Sequence, residues 1–340
     1  MTVEVSRAVD RSEWSRFVDE QAGGNIFHRP EMFDVFARAD GFAPEVWAAR
    51  DNGVIRALIT PVQVQLFGGH LEAFTTRAVL YGSVLCEDSE PGRAALAALL
   101  RRYAAHARRS AVFVELRNLV DVSGLAGVLR SCGYQFEPHL DFLIDLDRPP
   151  DAILQAIGTR TRAHIRRGLR AGRVQIEEAR TQSELEECYR LLRLTYERAR
   201  IPLASPSLFE AAHAELVPRG MARFLLARVN GAAAGCVVEL VYRDRVYHWY
   251  AGSDRAYAAE TPGELLIWNV LEWAATAGYR VFDFGGAGRP NEPYGPRDFK
   301  AKFGGQLVEF GRYTWTPSPF RLRLSQFGYG MYRRVRGRPQ

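Results

Sequence analysis

Asp283-Phe284-Gly285-Gly286-Ala287-Gly288, followed by Tyr294-Gly295-Pro296-Arg297-Asp298-Phe299-Lys300-Ala301-Lys302-Phe303-Gly304-Gly305, is the stretch that decides how this chain reads. The β-branched and aromatic run from Tyr279 to Phe284 predicts a buried strand. It ends in glycines, where the backbone turns or lets another group approach closely. A polar loop follows, then two lysines bracketed by Phe299 and Phe303 and closed by Gly304-Gly305. A cation pinned between aromatic anchors beside a glycine-rich strand end is a place to hold developing negative charge.

This stretch resembles the end of the FemAB-like aminoacyltransferases, which carry Asp-Phe-Gly, a loop, then Gly-x-x-x-Phe-Lys-x-x-(Phe or Trp)-Gly. Gly295, Phe299, Lys300, Phe303 and Gly304 fall on that pattern. The resemblance implies an α/β fold of two tandem GNAT-like domains, each a central mixed sheet flanked by helices. It also implies transfer of an acyl group onto an amine, often an aminoacyl group from aminoacyl-tRNA onto a peptidoglycan precursor. Lys300 then stabilises the tetrahedral oxyanion or the leaving ribose oxygen. Asp283 orients Lys300 or the incoming amine, or caps the turn that follows. Backbone N–H groups near Gly285 and Gly286 share the oxyanion role, and Tyr294, Arg297 and Lys302 complete the candidate substrate-binding set. An early element, Phe27-His28-Arg29-Pro30-Glu31-Met32-Phe33, resembles the family's Phe-Gln-Ser-x-x-Trp with three departures, and Arg38 lies where members often carry a lysine.

Working outward, the chain says the same thing twice. Val46 to Val62 and Phe224 to Val241 are apolar runs joined at Asn52-Gly53 and Asn230-Gly231, a strong hairpin signal. Pro91 and Pro262 each open an apolar-periodic helix, about Gly92 to Arg108 and Gly263 to Thr276. Each helix leads to a strand, Val112 to Leu116 and Tyr279 to Phe284, which aligns Glu115 with Asp283. The prolines after Leu146-Asp147-Arg148 place the join near residue 150. The expected domains are 1–150 and 151–316, with a basic tail over 317–340.

Composition sets the outer limits. A chain of 340 residues, 47% hydrophobic and 25% charged, is an ordinary globular protein of two-domain size. No apolar stretch is long enough to span a membrane, and the first residues lack a secretory core. Cys86, Cys132, Cys188 and Cys236 are too scattered for a zinc site and read as reduced thiols, so the expected location is the cytoplasm. No HExxH, GxSxG or P-loop appears. No metal or cofactor is expected.

Net charge of +6 permits polyanion binding, and its distribution says where. Thr159 to Arg173 reads TRTRAHIRRGLRAGR, with Arg162, Arg166, Arg170 and Arg173 on one face at helical spacing. This segment is a candidate phosphate-binding face, suited to tRNA, lipid phosphates or nucleotide diphosphates. The tail, Phe320 to Arg338, leaves three readings open: lipid contact at the inner membrane face, tRNA binding, or disorder. His248, in the aromatic run Tyr247-His248-Trp249-Tyr250, is the one histidine to test as a proton carrier.

The donor follows from what is missing. GNAT enzymes that use acetyl-CoA seat its pyrophosphate on a glycine-rich loop at a helix N-terminus. Here that place reads Ala258-Ala259-Glu260-Thr261-Pro262-Gly263-Glu264, with acids that repel phosphate and a proline that lacks a donor. Aminoacyl-tRNA is therefore the favoured donor, with an acyl-CoA or other acyl thioester as the alternative. The acceptor is an amine, lipid-linked, nucleotide-linked or small. A second class of function stays open: a non-catalytic RNA- or membrane-binding module.

Overall fold

The computed structural model describes residues 3–65 and 76–317, so the tail beyond 317 lies outside the described residues. The chain forms two compact units, one running to Pro138 and resuming at Phe310, the other His139–Glu309.

The first unit opens with β1 (Val3–Ser6), α1 (Arg11–Glu20), α2 (Pro30–Arg38), β2 (Phe42–Pro44), β3 (Trp47–Asp51), β4 (Val54–Ile59) and β5 (Val62–Val64). It continues through β6 (Arg77–Leu80), β7 (Leu85–Cys86), α3 (Glu90–Ser110), β8 (Val114–Arg117), α4 (Ala126–Ser131) and β9 (Gln135–Glu137). The expected turn between β3 and β4 is present: Asn52 and Gly53 both take positive φ, the geometry that a two-residue hairpin favours. Ser89 caps α3, its hydroxyl accepting from the Gly92 N–H, and Pro91 sits in the first turn. Leu96, Leu99, Leu100 and Tyr103 of that helix pack into the unit's core.

The second unit runs β10 (Leu140–Asp145), α5 (Pro150–Ala156), α6 (Thr159–Ala171), β11 (Val174–Glu178), α7 (Gln182–Ala199) and α8 (Pro206–Leu216). Then come β12 (Ala222–Val229), β13 (Ala232–Tyr242), β14 (Arg245–Ser253), α9 (Pro262–Thr276), β15 (Val281–Gly286), α10 (Gly295–Ala301) and β16 (Gln306–Glu309). Its seven strands form one sheet in the order β11-β12-β13-β14-β15-β10-β16, antiparallel except for β14 and β15. Asn230 and Gly231 repeat the positive-φ turn. Leu265, Leu266, Val270 and Leu271 of α9 pack with Phe282 and Phe284 of β15 in its core.

The last strand among the described residues, β17 (Arg312–Trp315), returns to the first unit and lies between β8 and β9. This explains a departure from the expected boundaries at 150 and 316. By sequence, β10 closes the first repeat and β17 the second. In space each pairs in the other unit: β10 with β15 and β16, β17 with β8 and β9. The two repeats exchange their terminal strands, so the compact units change over near residues 138 and 310.

The repeats differ at one further place. In the second unit β13 is a single strand of 11 residues. In the first, β4 and β5 cover the corresponding length but break at Thr60-Pro61, and the sheet divides into β1-β3-β4-β7 and β2-β5-β6-β8-β17-β9. Proline has no N–H to give to a ladder. Among the described residues both units keep one parallel pair, β6 with β8 and β14 with β15.

Candidate active site

The site grows from the end of β15. Phe282 and Phe284 face the core, which sends Asp283 to the other side of the sheet, where it is almost fully buried. Parallel pairing between β14 and β15 stops at Tyr247 and Asp283. Gly285, at φ +75°, then turns the strand in a conformation side chains resist, and its N–H donates to Asp283 Oδ1 at 2.8 Å.

Lys300 comes from α10. Phe299 and Phe303 pack on each other and on Phe284, with ring centroids 5.3 to 6.4 Å apart. Behind them Gly305, at φ +93°, lies so close to the Leu143 carbonyl that a Cβ would sit 2.5 Å from it. Thus anchored, Lys300 Nζ donates to the carbonyl oxygens of Gly285 at 2.8 Å and Gly286 at 3.0 Å. Its ammonium also stands 5.5 Å from the centre of the Phe284 ring. Three protons and two carbonyl partners leave one donor for another group. Burial pushes the ammonium down to about 8, against the pull of Asp141 and Asp283.

Asp141, on β10, was not singled out in the sequence. It is buried, and its Oδ1 accepts from the N–H of Phe142 at 2.7 Å. The strand that carries it pairs with the strand of Asp283, and each carboxyl acts on the other. Burial raises Asp141 well above the usual carboxylate range, and the neighbouring Asp283 raises it further. Burial raises Asp283 too, opposed by the Gly285 N–H, Arg245 and Lys300. Asp283 Oδ2 has no hydrogen-bond donor among the described residues.

The other candidates separate into groups. The Arg297 guanidinium is committed to the loop before its helix: Nε donates to the Ala287 carbonyl at 2.7 Å, and the two terminal nitrogens reach those of Arg289 and Pro290. These bonds give Arg297, expected in the substrate-binding set, a part in holding the loop itself. Tyr294 packs its ring on Gly288 at the start of α10 and stays partly exposed. Lys302 is exposed, 5.6 Å from the Phe299 ring. Gly285 and Gly286 present carbonyls to Lys300, and the Gly285 N–H is already taken, so that N–H does not serve an oxyanion. Arg38 lies in the last turn of α2, in the first unit. His248 Nδ1 bonds Glu239 Oε1 at 2.8 Å beneath the Phe284 ring, and Glu239 is fully buried. Glu239 was also missed. The signal for both missed acids was an acid inside an apolar strand, Leu140-Asp141-Phe142 and Val238-Glu239-Leu240.

Helix α6 keeps only part of its expected face. Arg162 turns back to the Gln155 carbonyl, and Arg173 pairs with Glu260 at 3.0 Å. Arg160, Arg166, Arg167 and Arg170 are exposed, and no acid pairs with them among the described residues. His164 meets Glu264 at 2.9 Å. Glu260 and Glu264, the acids expected to repel a pyrophosphate at the start of α9, are therefore bound by Arg173 just after α6 and by His164 within it, which weakens that argument against CoA.

Comparison with known proteins agrees with this architecture. Residues 158–300 match the family model described as Acetyltransferase (GNAT) domain. Among solved structures, FemX covers 96% of this chain and 100% of its own at 14% identity, with a TM-score of 0.74. A tandem GNAT protein from the clavulanic acid biosynthesis pathway, solved without AcCoA, gives 0.60 at 14% identity, covering 94% of this chain and 99% of its own. L-PGS from Bacillus licheniformis gives 0.57 at 15% identity, covering 93% and 96%. No curated protein matches the sequence. Residues 158–300 thus carry a GNAT acetyltransferase domain, and the whole chain has the fold of FemX and the tandem GNAT protein.

Proposed function

We propose that this protein transfers an aminoacyl group from aminoacyl-tRNA to an amine, with Lys300 stabilising the oxyanion. The observation that carries the reading is the ammonium of Lys300, fixed on two carbonyls with one donor uncommitted. The arginines of α6 that no acid pairs among the described residues support tRNA as the carrier, because a phosphate backbone suits unscreened guanidinium groups. By its resemblance to FemAB-like enzymes the acceptor is a peptidoglycan precursor or a small amine. A second reading, an acyl thioester donor, is favoured by the pairing of Glu260 and Glu264 with Arg173 and His164. It is also favoured by the AcCoA named with the clavulanic acid pathway protein.

The test is a screen of the purified protein against charged tRNAs and CoA thioesters in the presence of amines, reading donor consumption. Consumption of charged tRNA alone supports the first reading, thioester alone the second, and neither returns the chain to a binding role. For α6, replacing Arg166 and Arg170 by Ala is expected to weaken tRNA binding and reduce the slope of log K against log salt by roughly 1.5. Equal slopes for the two proteins in a filter-binding titration would remove α6 from the donor site.

A further inference from the structure

The exchanged strands provide an internal control for the second unit's buried acids. Arg312 on β17 and Asp141 on β10 occupy equivalent places, each at the outer end of the ladder beside the strand that carries the buried acid. In the first unit that acid is Glu115, which pairs with Val79 and Thr314 as Asp283 pairs with Tyr247 and Leu143. Glu115 is closed off by two arginines, Arg312 at 2.6 Å and Arg117 at 3.0 Å. The fold therefore satisfies a buried acid here with a guanidinium. The second unit puts a carboxyl where Arg312 stands, glycines where Arg117 stands, and brings a single lysine from α10.

We propose that Asp141 and Asp283 hold one proton between them and serve as the proton reservoir of Lys300, which makes Asp141 a further positioning residue of the reaction. The inference rests on the acyl-transfer reading above. Two buried carboxyl groups on paired strands, with one oxygen lacking any donor among the described residues, do not ionise together. The charged and titratable groups facing them are Lys300 from α10 and Arg245 and Tyr247 from β14. The proton cycle balances. As the amine nitrogen adds to the acyl carbon, the C–N bond forms and the bond to the carrier oxygen or sulfur breaks. The leaving atom takes the free proton of Lys300, the shared proton recharges Lys300, and the proton shed by the new amide nitrogen refills the pair.

Asp141→Asn separates this from a structural role. Asparagine keeps the shape, keeps the net charge of the protonated pair and donates a hydrogen bond to Asp283 Oδ2, yet has no proton to give up. Infrared spectra of the ligand-free protein carrying carbon-13 aspartate are expected to show a protonated carboxyl band at neutral pH. That band is expected to vanish in Asp141→Asn and in Asp283→Asn, with folding checked by thermal melting. No band in the wild type, or one that survives in both variants, overturns the proposal. With whichever donor the wild type consumes, aminoacyl-tRNA or acetyl-CoA, Asp141→Asn is expected to lower kcat about 100-fold at unchanged KM, the scale of one proton-transfer group. Wild-type kcat in that variant overturns the reservoir and leaves Lys300 standing. A wild type that consumes neither donor fails the acyl-transfer reading alone, since the infrared band reads the shared proton by itself.

Discussion

Lys300→Ala is expected to slow transfer by about 1,000-fold, the usual cost of deleting one preorganised oxyanion donor, with little change in fold. The expectation follows from where the ammonium sits. Its two carbonyl partners belong to the glycine turn that ends β15, and water can replace the ammonium there. Its ring neighbours, Phe299 and Phe303, stay anchored on Phe284 without it. Lys300→Arg distinguishes charge from geometry. A guanidinium stays charged but is a planar fork, and does not satisfy two carbonyls and a third group from one nitrogen. Both variants should retain the wild-type circular dichroism spectrum while losing donor consumption. A fully active Lys300→Ala variant would remove this residue from the chemistry.

The second large effect falls in the first unit and concerns stability. Burial works against the charge on Glu115, but the guanidinium groups of Arg117 and Arg312 overcome it and pull the carboxyl from its ordinary 4.5 down to about 2. A carboxylate depressed in the folded state contributes stability above its unfolded value and loses it as pH falls. The window here runs from about 4.5 down through about 2. The size of the shift corresponds to roughly 3 kcal/mol, in line with the cost of breaking a buried ion pair. Glu115→Gln should therefore lower the melting temperature of this unit by about 10 °C at neutral pH, and flatten its acid limb. His28 adds an earlier limb: burial pushes it down to about 4, so the native state refuses a proton that the unfolded chain accepts from about 6.5. Equal melting curves for wild type and Glu115→Gln between neutral and acid pH would mean that the ion pair carries no stability.

Much of the fold was legible because it was written in local signals. The two Asn-Gly turns, the prolines opening α3 and α9, and the strands that follow depend on neighbours in sequence. The exchange of β10 and β17 was not legible, because an apolar strand such as Leu140–Asp145 does not state which sheet it joins. The site divided along the same line. The anchored setting of Lys300 was readable from the phenylalanines and glycines around it. Arg297 was not, because a guanidinium is as ready to bind three local carbonyls as a phosphate. Asp141 becomes meaningful only when β10 is laid beside β15, since the group that changes its chemistry stands more than a hundred residues away. The pairs Arg173–Glu260 and His164–Glu264 have the same origin: the sequence displays the charges, and the packing of α6 beside α9 decides which are spent.

The pH dependence of donor consumption by the wild-type protein and by Lys300→Ala measures the central claim most directly. In the proposed reaction Lys300 acts as the ammonium, and its charged fraction falls as pH rises through about 8. A descending limb near that pH in the wild type, absent from the residual activity of the variant, is the expected result. Profiles that coincide in height and shape would contradict the assignment of the site to Lys300.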